Sequence, residues 1–217
     1  MDQAAYPVTF AVDYPERPLD RLSTLFRVFF AIPIGIVLAS VSGATWRWTI
    51  DDRMADAGAN SGVLVVGAGG LLFFAPLLMI LFRQKYPRWW FDWNLELVRF
   101  SNRVGVYLAL MDDRYPSTDD YQAVHLDYPY PDVPRDLNRW LPLVKWFLAI
   151  PHYLVLIVLG IAALVAVIVA WFAILATGTY PRGLFHFVEG VLRWQNRVTG
   201  YAITLVTDRY PPFRLAP

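Results

Sequence analysis

The sequence has no cysteine, which excludes disulfides, iron–sulfur clusters and thiolate-bound zinc. Charge is scarce as well: 17% of the 217 residues are Asp, Glu, Lys or Arg, against about a quarter in a soluble domain. Nineteen basic and eighteen acidic residues leave a net charge of +1, too balanced to mark a nucleic-acid binder. The three histidines, His125, His152 and His186, are dispersed, and no H-E-x-x-H, H-x-x-E-H or G-x-S-x-G pattern occurs. That leaves neither a metal set nor a nucleophile with its base and orienting acid. No enzyme activity, cofactor or metal is expected.

What the chain does have is apolar surface: 57% hydrophobic and 16% aromatic residues, with a mean hydropathy of +0.39. Disorder and collagen-like structure are excluded, and an integral membrane protein is expected. A span needs roughly 20 apolar residues. Leu22 to Ser42 qualifies, with Arg27 near its start, and Gly62 to Phe82 carries no charge. Leu141 to Leu175 is apolar except for Lys145 and His152. As one helix it would run about 52 Å, so a hairpin turning near Gly160 is expected. Pro33, Pro76 and Pro151 fall inside these stretches and predict kinks. The first 20 residues are acidic and proline-bearing, unlike a cleavable signal peptide. Gly67 to Gly70 reads as close helix packing through small residues. Asp51, Asp52 and Asp56 read as a solvated loop.

Several motifs recur in order. Ala31-Ile32-Pro33 returns as Ala149-Ile150-Pro151, with Arg21 and Arg27 matched by Arg139 and Lys145. Tyr86-Pro87-Arg88 returns as Tyr180-Pro181-Arg182, and Asn102-Arg103-Val104 as Asn196-Arg197-Val198. Each half closes on Asp-Arg-Tyr-Pro, at Asp113 and at Asp208. A tandem duplication is expected, with repeats at 1–120 and 121–217. The first half alone holds a long polar connection, Gly43 to Ser61. All Lys and Arg except Arg47 and Arg53 lie outside that connection. By the positive-inside rule both termini and the central segment are then cytoplasmic.

After each Tyr-Pro-Arg comes an aromatic stretch of helical period. Residues 88–111 place Asp92, Glu96, Arg99 and Arg103 on one stripe, beside Trp89, Trp90, Trp93 and Phe100. Residues 183–206 repeat this with His186, Glu189, Arg193, Asn196 and Arg197, beside Trp194. Such amphipathic helices lie in the membrane interface or pack on the bundle. Val8 to Asp13 and Gln122 to Asp127 alternate and end at Tyr-Pro. They read as short strands able to pair with each other or to dock on a partner.

The fold class expected is therefore an all-α integral membrane protein. It has four transmembrane helices as two hairpins, 22–82 and 141–176, in a pseudo-twofold repeat. Two amphipathic interfacial helices and short cytoplasmic strands complete it.

The pattern resembles an uncharacterised bacterial membrane family, domain of unknown function 4389. The residues that carry it are RWLPLVKWFLAIP at Arg139 to Pro151, WFAILATGTYPRGLFHFVEGVLRWQNRV at Trp171 to Val198, and DRYPPF at Asp208 to Phe213. The second half resembles a full copy and the first a degenerate one. The resemblance implies residence in the bacterial cytoplasmic membrane and supplies no activity.

The function expected is a non-catalytic membrane subunit or scaffold within a larger complex. It would bind membrane lipids and a protein partner, not nucleic acid. Lipid-headgroup or partner contact is expected at Arg27, Lys145, Arg99, Arg103, Arg193, Arg197, Trp89, Trp90, Trp93 and Trp194. For Arg27 and Lys145, snorkelling to the interface is the plainer alternative. A small transporter or channel for an anionic or lipidic substrate along the pseudo-twofold axis is the alternative function. A lipid-modifying enzyme using His186 or His152 is a distant third.

Overall fold

A computed structural model of the chain describes residues 6–42 and 74–217. Two strands, β1 (Thr9–Val12) and β2 (Val124–Asp127), pair antiparallel with Phe10 opposite Leu126 and Val12 opposite Val124. These four side chains are buried, as the alternation of strand faces requires. Asp13 and Ala123 extend the pairing by one more backbone bond of 2.9 Å, and Pro15 and Pro129 follow. Proline has no N–H to continue a ladder.

The helices are α1 (Arg21–Ser42), α2 (Phe74–Arg83), α3 (Arg88–Leu108), α4 (Val133–Asp136), α5 (Pro142–Leu148), α6 (Ile150–Thr177) and α7 (Arg182–Ala202). Asp20 starts α1 by accepting from the Leu22 and Ser23 amides at 3.0 and 3.3 Å, the usual N-cap arrangement. Pro87 and Pro181 precede α3 and α7, where the chain enters the helix from extended backbone. Gly178 ends α6 in the left-handed region at φ 76°, which glycine adopts without a Cβ clash.

Three layers result. The outer layer is α1 and α6, the middle layer α3 and α7, and the far layer the β1–β2 ribbon. The start of α1 lies against the end of α6: Leu19 donates to the Gly178 carbonyl at 2.8 Å. Trp171 Nε1 donates to the Thr24 carbonyl at 3.2 Å. Then α7 folds back along α6. Phe185 and Val188 share a core cluster with Ala166, Ala170 and Ile174, and Trp194, Val198 and Ala202 share another with Ala149. Gly200 lets β1 approach α7, since a Cβ there would come within 2.7 Å of Val8 Cγ2.

The expected hairpin over 141–176 is not formed. The helix α6 runs unbroken through Gly160, and the break falls at Ala149, between α5 and α6. A turn at Gly160 would strip carbonyls and amides of their partners in an apolar setting, while helix satisfies them all. Glycine only permits a turn, and nothing lies within 4 Å of a Cβ built at Gly160 to demand one. Pro151 sits in the first turn of α6, where its missing N–H costs nothing, so it opens a helix instead of kinking one. Pro33 does lie inside α1. Among the described residues two helices, Arg21–Ser42 and Ile150–Thr177, are long and apolar enough to cross a membrane; Phe74–Arg83 is shorter. The connection at 43–61 and residues 62–73 of the expected second span, including Gly67 to Gly70, lie outside the described residues.

The helices α3 and α7 end at Leu108 and Ala202, short of the expected 111 and 206. Beyond them Leu110 and Leu205 adopt left-handed backbone at φ 63° and 56°. Both leucine side chains are buried, which offsets the strain of that conformation.

Candidate functional site

Arg27 and Lys145 point into the protein. Arg27 is 2% exposed and Lys145 0%, so neither snorkels and neither faces a headgroup. Lys145 Nζ donates to the Thr207 carbonyl at 2.7 Å. It also pairs with Asp208 Oδ1 at 2.7 Å and lies 5.1 Å from the centre of the Tyr201 ring. Arg27 donates to the carbonyls of Tyr107, at 3.1 Å, and Asp112. Its guanidinium sits 4.4 Å over the Tyr107 ring. Arg27 thus meets carbonyls at and just beyond the C-terminal end of α3, and Lys145 those just beyond the end of α7, where the macrodipole and unpaired carbonyls attract positive charge.

The arginines of the middle layer hold the ribbon. In an antiparallel pair, alternate residues turn both backbone groups outward, and Phe10 and Leu126 are such residues. Arg193 Nε donates to the Phe10 carbonyl at 2.8 Å, and Arg99 Nε to the Leu126 carbonyl at 2.9 Å. Glu189, paired with Arg193, accepts from the Val12 amide at 3.4 Å. The Glu189–Arg193 pair therefore takes the place of a third strand on the β1 edge, one way to close an edge. Arg103 donates to the carbonyls of Ser117 and Thr118 at 2.8 and 3.0 Å. Arg197 does the same to Arg214 and Ala216 at 3.2 and 2.9 Å. Burial, then the nearby guanidiniums of Arg214 and Arg193, pull the Arg197 pKa below its ordinary value.

Where the two long middle helices meet, Asn102 and Asn196 exchange side-chain bonds of 2.8 and 2.7 Å. Both amides also bond back to their own helix, at Val98 and Leu192.

The four tryptophans separate. Trp89 and Trp93 are exposed and Trp90 half-buried between them, with ring centres 5.2 and 5.6 Å from its own. They share α3 with exposed Asp92 and Glu96. Trp194 is buried, so it offers no lipid contact; its Nε1 donates to His152 Nδ1 at 3.1 Å. His152 in turn stacks on Phe213 with ring centres 4.0 Å apart. His186 meets Glu189 at 3.3 Å, and His125 pairs with Asp13 at 2.8 Å on exposed strand faces.

Sequence reasoning missed Asp208, Glu189 as an acceptor for the strand, and the Trp194–His152–Phe213 stack. The repeated Asp-Arg-Tyr-Pro was the available signal for Asp208. Among the described residues no three His, Asp or Glu side chains gather as a metal site. A cleft of about 290 Å³ opens beside β2, lined by Glu96, Arg99, Arg103, Asp119 and His125. One of about 500 Å³ beside β1 is lined by Arg193, Arg197 and Arg214.

The family model described as Domain of unknown function (DUF4389) matches residues 140–214. That segment holds α5, α6, α7 and the closing Asp-Arg-Tyr-Pro, and so contains both the Lys145–Asp208 pair and the Glu189–Arg193 pair. No curated protein and no solved structure matches the chain.

Proposed function

We propose that the protein is a non-catalytic, membrane-bound subunit or scaffold of the bacterial cytoplasmic membrane. The observation that carries this is the sidedness of the fold. The outer layer, α1 and α6, exposes Phe29, Phe30, Ile36, Val158, Val165 and Phe172. The far layer presents the His125–Asp13 pair to solvent, and the Arg99–Glu96 pair lies on α3 beside it. Apolar surface this extensive is characteristic of contact with lipid or a permanent partner.

Exposed Trp89 and Trp93, with Asp92 and Glu96 between their turns, form the surface for a protein partner. Aromatic side chains ringed by polar ones suit such contacts. The internal duplication is supported by matched contacts in the two halves: Arg27 and Lys145 at helix ends, Arg99 and Arg193 on strand carbonyls. Cytoplasmic termini are supported by the basic residues that flank the apolar helices, Arg21, Arg135, Arg139 and Arg182. A transport path between the halves gains no support, because the Asn102–Asn196 bonds close the place where α3 and α7 meet.

Purification in a mild detergent is expected to yield a partner at fixed stoichiometry, lost when Trp89 and Trp93 are both changed to Ala. A partner-free monomer that supports solute flux in liposomes would replace this function with transport.

A further inference from the structure

We infer that α1 and α6 lie along one leaflet of the membrane, in its plane, and do not cross it. This presupposes the membrane attachment proposed above and specifies its geometry. The occupant of the outer layer is then the acyl boundary of a single leaflet, with anionic headgroups at its rim.

Length and charge set the problem. The 28 residues of α6 make a rod of about 42 Å, against a hydrocarbon core of about 30 Å. Basic residues flank both of its ends: Arg135 and Arg139 before α5, Arg182 after α6, and Arg21 at the adjoining start of α1. Positive charge at both ends favours both ends on one side. A hairpin would satisfy that, but α6 has no turn. An in-plane helix satisfies both the charge and the unbroken backbone.

The layer order points the same way. Because α7 follows α6 from Ala149 to Ile174, anything at the depth of α6 in a crossing arrangement carries α7 with it. The Glu189–Arg193 pair and the ribbon behind it would then sit at hydrocarbon depth, with the exposed His125–Asp13 pair facing acyl chains. Ionic groups there are costly. Laid flat, the same body puts apolar side chains into the leaflet and charged ones into water, as interfacial helices do. Exposed Trp140 and Trp146 at the α5 end are suited to headgroup depth. Exposed Arg135 and Arg182 are available to anionic headgroups, while Arg139 donates to the Leu81 and Phe82 carbonyls.

The test is a depth series along α6. Leu154, Ile161, Val165 and Phe172 are all exposed and share one helix face. The chain has no native cysteine, so single Cys variants at these positions can carry a nitroxide. The full chain is reconstituted in vesicles of phosphatidylethanolamine and phosphatidylglycerol, and depth is read from collisions with oxygen against a nickel chelate. All four labels are expected at one depth. A steady change of about 27 Å from Leu154 to Phe172 would overturn the inference in favour of crossing, and a maximum midway in favour of a hairpin. Free access of the chelate at all four, with protein that does not float with vesicles, would remove the membrane attachment itself. Arg135→Cys and Gly183→Cys, both at exposed sites, give an independent arm. An impermeant maleimide is expected to reach both from the same side, and labelling from opposite sides would overturn the inference.

Discussion

Lys145 shows why a buried cation near a membrane-facing helix need not snorkel. Its ammonium is fixed by a carbonyl and a carboxylate that arrive from the end of α7, so leaving would strand Asp208 as well. Removing one member of such a pair is costly because the other stays behind without a partner. Lys145→Met is therefore expected to destabilise the fold by about 3 kcal/mol in thermal unfolding. Arg88→Gln breaks the exposed pair with Asp92 and removes the guanidinium that lies 4.8 Å over the Tyr130 ring, and is expected to cost about 1 kcal/mol or less. Equal effects would contradict the assigned roles. Buried phenols give a second check. Burial raises the pKa of Tyr6, Tyr86, Tyr128 and Tyr180 above the ordinary tyrosine value. In the unfolded chain they ionise near pH ~10. Their contribution to stability is thus whole below that pH and falls as pH rises above it. Phenolate absorbance in the native protein is expected to lag the unfolded protein over this range. Superimposable titrations would contradict the burial.

At the scale of elements, much of the fold is legible in the sequence, and the misreadings share a cause. The strands announce themselves by alternation and a terminating Tyr-Pro, and α3 and α7 by the proline before each and a period of three to four. The register of β1 on β2 follows from which residues are apolar. The expected hairpin at Gly160 fails because hydropathy is blind to whether an apolar run turns, and a length of about 52 Å argues for a turn only if the run crosses the bilayer. Arg27 and Lys145 were read as interfacial because their partners lie 85 and 62 residues away, beyond any local pattern. If α6 is continuous, a large side chain at its middle is harmless. Gly160→Leu is expected to leave helicity and melting temperature unchanged or slightly raised, leucine being the better helix former. A loss of helix or of expression would argue that the chain does turn there.

The whole molecule is organised by depth: apolar helices outside, then helices that consume Arg99, Arg103, Arg193, Arg197, Asn102 and Asn196 internally, then a ribbon with a charged outer face. Composition predicts attachment to a membrane but not this layering. The sequence pattern gives two faces to α3 and α7 without saying that most of the polar face is spent on strand carbonyls and loops. That internal use leaves Trp89 and Trp93, not the arginines, as the groups most available to a partner. Function was the least legible level, because the proposed role rests on exposed surfaces, which no local motif marks. The most direct measurement is photolabelling in bilayers with an apolar carbene probe dissolved in the acyl phase, mapped by peptide mass spectrometry. Label is expected on Val28, Phe29, Val158, Val165 and Phe172, and absent from His152, Ala170, β1 and β2. Label on the ribbon, or none on α6, would contradict the layered attachment on which the proposed function depends.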